Sequence, residues 1–353
     1  MEIFATFSAT LLHQFQQPTL AFLVGGMALA ALGSKFEIPA PVYKFIVILL
    51  LLKVGLSAGI SVRDANIAEL AVPALLAMAC GVAIVLLGTI TLAKWHNVDR
   101  MDAMATAGLF GAVSASSLAA GMAMLDAKNI AYEGFIGALY PFMDVAALVT
   151  AIILAKLAEA RAATLSPAAI TSGTATLGNR AKNVAGADRE MIQAIIVDAI
   201  RSPAISALLL GLTLGIFAEP DAIYESFYQP LFKGLLSILM LIMGMEAWSR
   251  LSEMRKVAHA YILYGIAAPL VHGSIGFAAG ILAHEMTGFS LGGVVLMAVM
   301  AASSSDISGP PTLRGAIPRA NPSAYVGTST GIGTPVAILS IPLWISLAEL
   351  IVG

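Results

Sequence analysis

Apolar residues run along this chain in stretches of about twenty, divided by short polar clusters rich in Lys and Arg. A bilayer core needs about 20 mostly apolar residues per helix. Windows of that length predict ten spans, at about 18–34, 40–62, 70–94, 101–125, 132–158, 193–218, 229–250, 257–284, 290–313 and 322–351. No segment of about ten residues alternates apolar and polar positions as a lipid-facing strand would. Met1–Gln17 has no basic n-region and no clear cleavage site, so it reads as a short amphipathic lead-in and not as a signal peptide. The pattern predicts an all-α polytopic membrane protein.

Composition agrees. Of 353 residues, 59% are hydrophobic and 11% charged, against roughly 45–50% and 25% in soluble domains. Mean hydropathy is +0.89. So few charges cannot cover a water-facing surface, which excludes a soluble globular enzyme and a disordered chain. A net charge of −2 leaves no basic footprint for nucleic acid. The single Cys80 excludes an internal disulfide and a thiolate metal cluster.

Charge then orients the spans. Fourteen Lys and Arg fall in loops 1–2, 3–4, 5–6, 7–8 and 9–10, and two, Arg63 and Lys128, on the other side. Lys44, Lys53 and Lys233 fall within spans. Positive loops stay cytoplasmic, so a plasma (inner) membrane protein with both termini outside is expected.

One long polar stretch, 159–192, divides the chain into halves, 1–158 and 193–353. The halves resemble each other in order. Gln17-Pro18 matches Ser202-Pro203, and Tyr43-Lys44 matches Phe232-Lys233. Gly55–Ala58 matches Gly244–Ala247, Gly111–Ser114 matches Ala301–Ser304, and Asp144 matches Pro335. All offsets lie between 185 and 191. Five spans per unit force the second copy upside down, and inverted repeats mark secondary transporters.

The fourth span of each half is irregular. One holds Gly108, Gly111, Ser114, Ser116 and Ser117; the other holds Ser303, Ser304, Ser305, Asp306, Ser308, Gly309, Pro310 and Pro311. Proline lacks an N–H and interrupts a helix, yet suits the start of a new one. A break at membrane depth is tolerated only inside protein or beside water, and paired interrupted spans point to a transport site. A new half-helix offers free N–H groups and a positive dipole end, which suit a small anion. Small residues also line close helix contacts. Asp144 and Asp306 are the acids most clearly within spans. With Ser117 and Ser308 they compose a hard-oxygen site for Na⁺ or a proton, or they are protonated structural acids.

Other features carry less. Glu246 stands four residues before Arg250, a pairing distance on a helix. His272 reads as a packing residue. Asn321-Pro322 and Thr334-Pro335 can bend span ten and bring Thr328, Ser329 and Thr330 to the site. Gly331–Gly333 is no phosphate loop, because the Gly-Lys-Ser/Thr end is missing.

The runs Gly108–Ser117, Tyr140–Asp144, Tyr224–Tyr228, Met243–Arg250, Ser303–Pro311 and Asn321–Tyr325 resemble the SbtA-type sodium-dependent bicarbonate transporters of cyanobacteria. The likeness spans nearly the whole chain. It departs at Ser114–Ser117, where Ala and Ser replace Gly and Thr, and in the short central loop. The resemblance implies a homotrimer and a core domain (spans 3–5 and 8–10) moving against a gate domain (spans 1–2 and 6–7). It implies bicarbonate and Na⁺ held where the two broken spans cross, with bicarbonate on residues drawn from Gly111, Ala112, Ser114, Ser116, Ser117, Ser303, Ser304 and Ser305 and Na⁺ on Asp144 and Asp306. It further implies a cytoplasmic PII-like regulator, SbtB, that responds to adenine nucleotides. The expected function is Na⁺-dependent bicarbonate symport, not enzyme catalysis. The rivals are another small-anion or Na⁺/H⁺ transporter on the same scaffold, a passive channel, and an intramembrane aspartyl protease using Asp144 and Asp306.

Overall fold

The computed structural model describes residues 18–64, 67–164, 197, 201, 203–254, 259–306 and 309–353. The lead-in 1–17, most of the 159–192 stretch, Ser308 and the side chain of Arg250 lie outside the described residues.

Every regular element among the described residues is helical. The first half holds α1 (Pro18–Ala31), α2 (Ala40–Asp64), α3 (Ile67–Leu92), α4 (Arg100–Gly111), α5 (Ala115–Ala127) and α6 (Leu139–Thr164), the last preceded by a 3₁₀ turn, Gly134–Ala138. The second half holds α7 (Pro203–Phe217), α8 (Gln229–Met254), α9 (His259–Thr287), α10 (Leu291–Ala302), α11 (Gly309–Ala316), α12 (Pro322–Thr328) and α13 (Thr334–Ile351). Seven helical segments among the described residues are long and apolar enough to cross a membrane. Shorter apolar helices cover Ala21–Ala31, Ile205–Phe217 and Leu291–Ala302. Leu291–Ala302 is short because its span is interrupted.

Proline explains where several helices change. Pro310 lacks an N–H, and its ring would strike the carbonyl four residues back, at Asp306. The helix ends at Ala302, Ser303 is extended (φ −75°, ψ 176°), and a new helix opens at Gly309, just ahead of the two prolines. Pro335 leaves the Gly331 carbonyl without its i+4 donor, and the chain answers with a π turn over Ser329–Gly333 between α12 and α13. Pro230 follows the π turn Tyr224–Tyr228 in the same way. The α4–α5 break contains no proline. There Ala112 and Ser114 are extended, and the Ser114 hydroxyl caps α5 by accepting from the Ser117 N–H.

The helices pack as two groups. In one, α1 lies on α8 and α2 on α7. In the other, α3 packs on α4, α6 and α9, and α10 packs on α9 and α13. The apolar window of the α4–α5 segment is wholly buried in protein, while the other six spans bury 39–56% of theirs. Unwound backbone thus sits where lipid cannot reach it.

Glycine sets the first group's spacing. A Cβ on Gly26 would stand 2.1 Å from the Leu241 carbonyl oxygen, and one on Gly244 2.0 Å from that of Leu23. At the α2–α7 crossing, a Cβ on Gly215 would meet the Gly59 Cα and the Leu56 oxygen, both at 2.7 Å. These are backbone atoms and cannot swing aside, so Gly215→Val must part the helices. Overpacking of this kind costs about 1–3 kcal/mol. A fall of several degrees in the unfolding temperature of the detergent-purified protein is expected. Gly25→Ala, with nothing within 4 Å of the new Cβ, should leave it unchanged.

Candidate functional site

The two breaks meet. The Ser114 N–H donates to the Ser303 hydroxyl at 2.9 Å, and the Ser305 N–H donates to the Leu109 carbonyl at 2.8 Å. The Ser303 hydroxyl in turn donates to the Met300 carbonyl. The break of one half is therefore bound to the break of the other and to the helix end beside it. These partners stand 189 and 196 positions apart, the second from Ser305 to Leu109.

A hydroxyl and carboxylate cluster lies at the head of α5. Ser114 and Ser116 hydroxyls are 2.7 Å apart. The Ser116 hydroxyl donates to Oδ2 of Asp306 at 2.9 Å, and that of Ser114 to the same oxygen at 3.4 Å. The other carboxylate oxygen, Oδ1, is buried without a hydrogen-bond partner among the described residues, as are Ser117 Oγ and Thr330 Oγ1. Asp144 belongs to the same region. It is fully buried on α6 and accepts from the Val113 N–H at 3.1 Å.

The backbone donors divide unequally between the breaks. Around the first, the N–H groups of Ala112, Val113, Ser114 and Ser117 are all engaged. Ala115 and Ser116 open α5 with no carbonyl behind them, as first-turn donors do. At the head of α11, the Gly309 N–H donates to the Ser305 hydroxyl, and Pro310 and Pro311 have none to give. The first-turn amides of Ala115 and Ser116 thus stand at the amino end of α5, where the helix dipole adds positive potential.

The expected site residues fall into distinct places. Ser114, Ser116, Ser303 and Asp306 form one hydrogen-bonded cluster. Ser305 braces the two breaks through its N–H and caps α11 through its hydroxyl. Ser304 turns toward span ten, meeting the Ser329 carbonyl at 3.1 Å and the Thr334 hydroxyl at 3.0 Å. Gly111 is a packing position: a Cβ there would stand 2.6 Å from Val85 and 2.9 Å from Ala147. Ala112 closes α4 by donating to the Gly108 carbonyl. Ser117 has a buried, unpartnered hydroxyl.

Two contributors escaped the sequence reading. The Glu246 carboxylate on α8 lies close enough to act electrostatically on Asp306 and on Tyr43 of α2. The available signal was its alignment with Ser57, within the matched runs Gly55–Ala58 and Gly244–Ala247. Thr334 was seen only as part of a bend and proves to bond Ser304. His272 packs edge-on to Phe110 and Tyr264, with ring centroids 5.9 and 6.0 Å away, as expected of a packing histidine.

Chemically, the cluster offers one carboxylate oxygen, hydroxyls and helix-end amides. No group of three or more His, Cys, Asp or Glu gathers among the described residues in a way that could hold a metal ion. A cation here would be held by one carboxylate with neutral oxygens, a set that suits a weakly bound hard ion. An anion would lie against the amides of α5.

A family model described as the Na⁺-dependent bicarbonate transporter superfamily matches residues 18–349. No curated protein matches the chain.

Proposed function

This chain belongs to the Na⁺-dependent bicarbonate transporter superfamily, and from that premise we propose that it is a Na⁺-coupled bicarbonate symporter working by alternating access. The observation that carries the reading is the Asp306 carboxylate, reaching from one break to the Ser116 hydroxyl on the other. A Na⁺ on the unpartnered Oδ1 of Asp306, with Ser117 or Thr330 as neutral ligands, would stand beside the free amides of Ala115 and Ser116. Bicarbonate would take those amides. Each ion then offsets the other's charge. Ser308 remains a proposed further Na⁺ ligand, and Asp144 a supporting carboxylate.

The energetics suit coupling. Driving an anion into a negative interior costs about 2.3 kcal/mol per charge per 100 mV. One co-transported Na⁺ cancels that cost, and its inward gradient supplies the drive.

An inverted repeat of five and five spans is part of the proposal. Two observations support it. Residues at equal offset touch: Ser116 and Asp306, 190 positions apart, share a hydrogen bond. And Gly55, matched to Gly244, crosses α7 as Gly244 crosses α1. The group α1, α2, α7 and α8 corresponds to the gate, and the remaining helices to the core. Positive loops orient both termini outward at the plasma membrane. The resemblance extends the proposal to a homotrimer and to docking of the regulator SbtB on the cytoplasmic face.

The rival small-anion reading separates by competition. A protease reading is disfavoured because Asp144 accepts from Val113 while Asp306 accepts from Ser116, and an aspartyl dyad needs its carboxylates on each other. The family is one of transporters.

The test is uptake of labelled bicarbonate into proteoliposomes at alkaline pH, with Na⁺ or choline outside. Uptake that needs Na⁺ and resists nitrate and acetate is expected. Equal uptake in choline would sink the coupling, and inhibition by nitrate would favour the broader anion reading.

A further inference from the structure

A cavity of about 360 Å³ opens where α8 begins, lined by Lys53, Asp126, Gln229, Pro230, Phe232 and Lys233. It lies between elements of both groups, since Lys53 is on α2, Phe232 and Lys233 are on α8, and Asp126 ends α5. Lys53 is only 6% exposed. Its ammonium stands 4.3 Å from the centroid of the Phe232 ring and 5.8 Å from that of Tyr224. Ring faces attract a cation but accept none of its three N–H bonds in the ordinary sense. Among the described residues Lys53 makes no ion pair.

Burying an ammonium without a counter-charge costs several kcal/mol. The nearest lining carboxylate, Asp126, already accepts from the Tyr132 hydroxyl at 3.0 Å. Exposed Lys233 adds a second positive charge. The lining therefore carries two cations against one acid, beside an amide, Gln229, that can donate or accept. A volume of 360 Å³ holds a small hydrated oxyanion, at about 30 Å³ per water. The cavity also has a defined relation to the breaks. Asp126 is at one end of α5 and the free amides are at the other, about 20 Å away for 13 residues.

We propose that this cavity is a second anion site, where Lys53 and Lys233 hold a small oxyanion apart from the breaks. By the positive-inside orientation it faces outward. Its role in uptake rests on the transport reading above, but its affinity for an anion does not. The site needs no Na⁺, because its lysines supply the charge.

Calorimetric titration of the purified protein with bicarbonate in choline buffer at alkaline pH tests it. Wild type is expected to bind, Lys53→Gln to weaken binding about tenfold or more, and Lys53→Arg to keep it. Exposed Lys233→Gln guards against a Lys53 variant that fails to fold, and should weaken binding severalfold. Binding that neither lysine variant changes, or none in wild type, overturns the proposal. Failure of Na⁺-dependent uptake in wild type would instead overturn the transport reading and leave this titration to decide the cavity.

Discussion

Asp306→Asn is expected to raise the Na⁺ concentration for half-maximal bicarbonate uptake by about tenfold to a hundredfold. Asparagine keeps the shape and an oxygen for the Ser116 hydroxyl, which now sits 2.9 Å from the carboxylate. What disappears is the charge at Oδ1, the buried oxygen with no donor of its own. A charged interaction of this kind is worth about 1.5–3 kcal/mol, and each 1.4 kcal/mol is about a factor of ten. The substitution also predicts an effect without transport. A buried charge that awaits a cation destabilises the Na⁺-free protein, so Na⁺ should raise the unfolding temperature of wild type, through about 2.7 kcal/mol at a hundredfold excess over Kd. Asp306→Asn should unfold at least as high as wild type in choline and lose the Na⁺ increment. An unchanged Na⁺ dependence in uptake and in unfolding would remove Asp306 from the ion site.

Much of this arrangement was legible because membrane helices announce themselves by length and composition. The expected span 40–62 is Ala40–Asp64, and the expected 257–284 is His259–Thr287. The interruption of span nine could be read from Pro310 and Pro311, since a proline dictates its own geometry. That the breaks meet was implied by the resemblance alone, and the register of their pairing could not be read. The bond from Ser114 to Ser303 joins residues 189 positions apart, and no local pattern encodes which extended segment meets which. The same holds for glycine. Gly55 and Gly244 stood out as matched positions, but their work, bringing α2 onto α7 and α8 onto α1, appears only in the packing. Lys53 was visible as a cation within a span. Its setting over Phe232 and beside Asp126 required three separate helices to be assembled.

Asp144 tests whether a carboxylate at the site holds the ion or holds the backbone. It is fully buried, and its Oδ1 accepts from the N–H of Val113, inside the break between α4 and α5. That N–H has left the helical ladder, and a buried donor without an acceptor costs about 1–3 kcal/mol. Asp144→Leu fills similar space and accepts nothing. The segment from Ala112 to Ser114 would then move to find another partner, carrying Ser114 away from Ser303 and the α5 amides away from their present aim. Loss of uptake by about a hundredfold is expected, since a displacement near 1 Å at a positioned site costs on that order. Asp144→Asn presents an oxygen to Val113 in the same place and should recover most of the uptake, with the half-activating Na⁺ concentration within about threefold of wild type, half a decade or some 0.7 kcal/mol. The contrast between the two variants isolates the acceptor from the charge. If Asp144→Asn instead shifts the Na⁺ dependence as far as Asp306→Asn does, the carboxylate contributes its charge to the ion directly, and the proposed ion site holds two acids and not one.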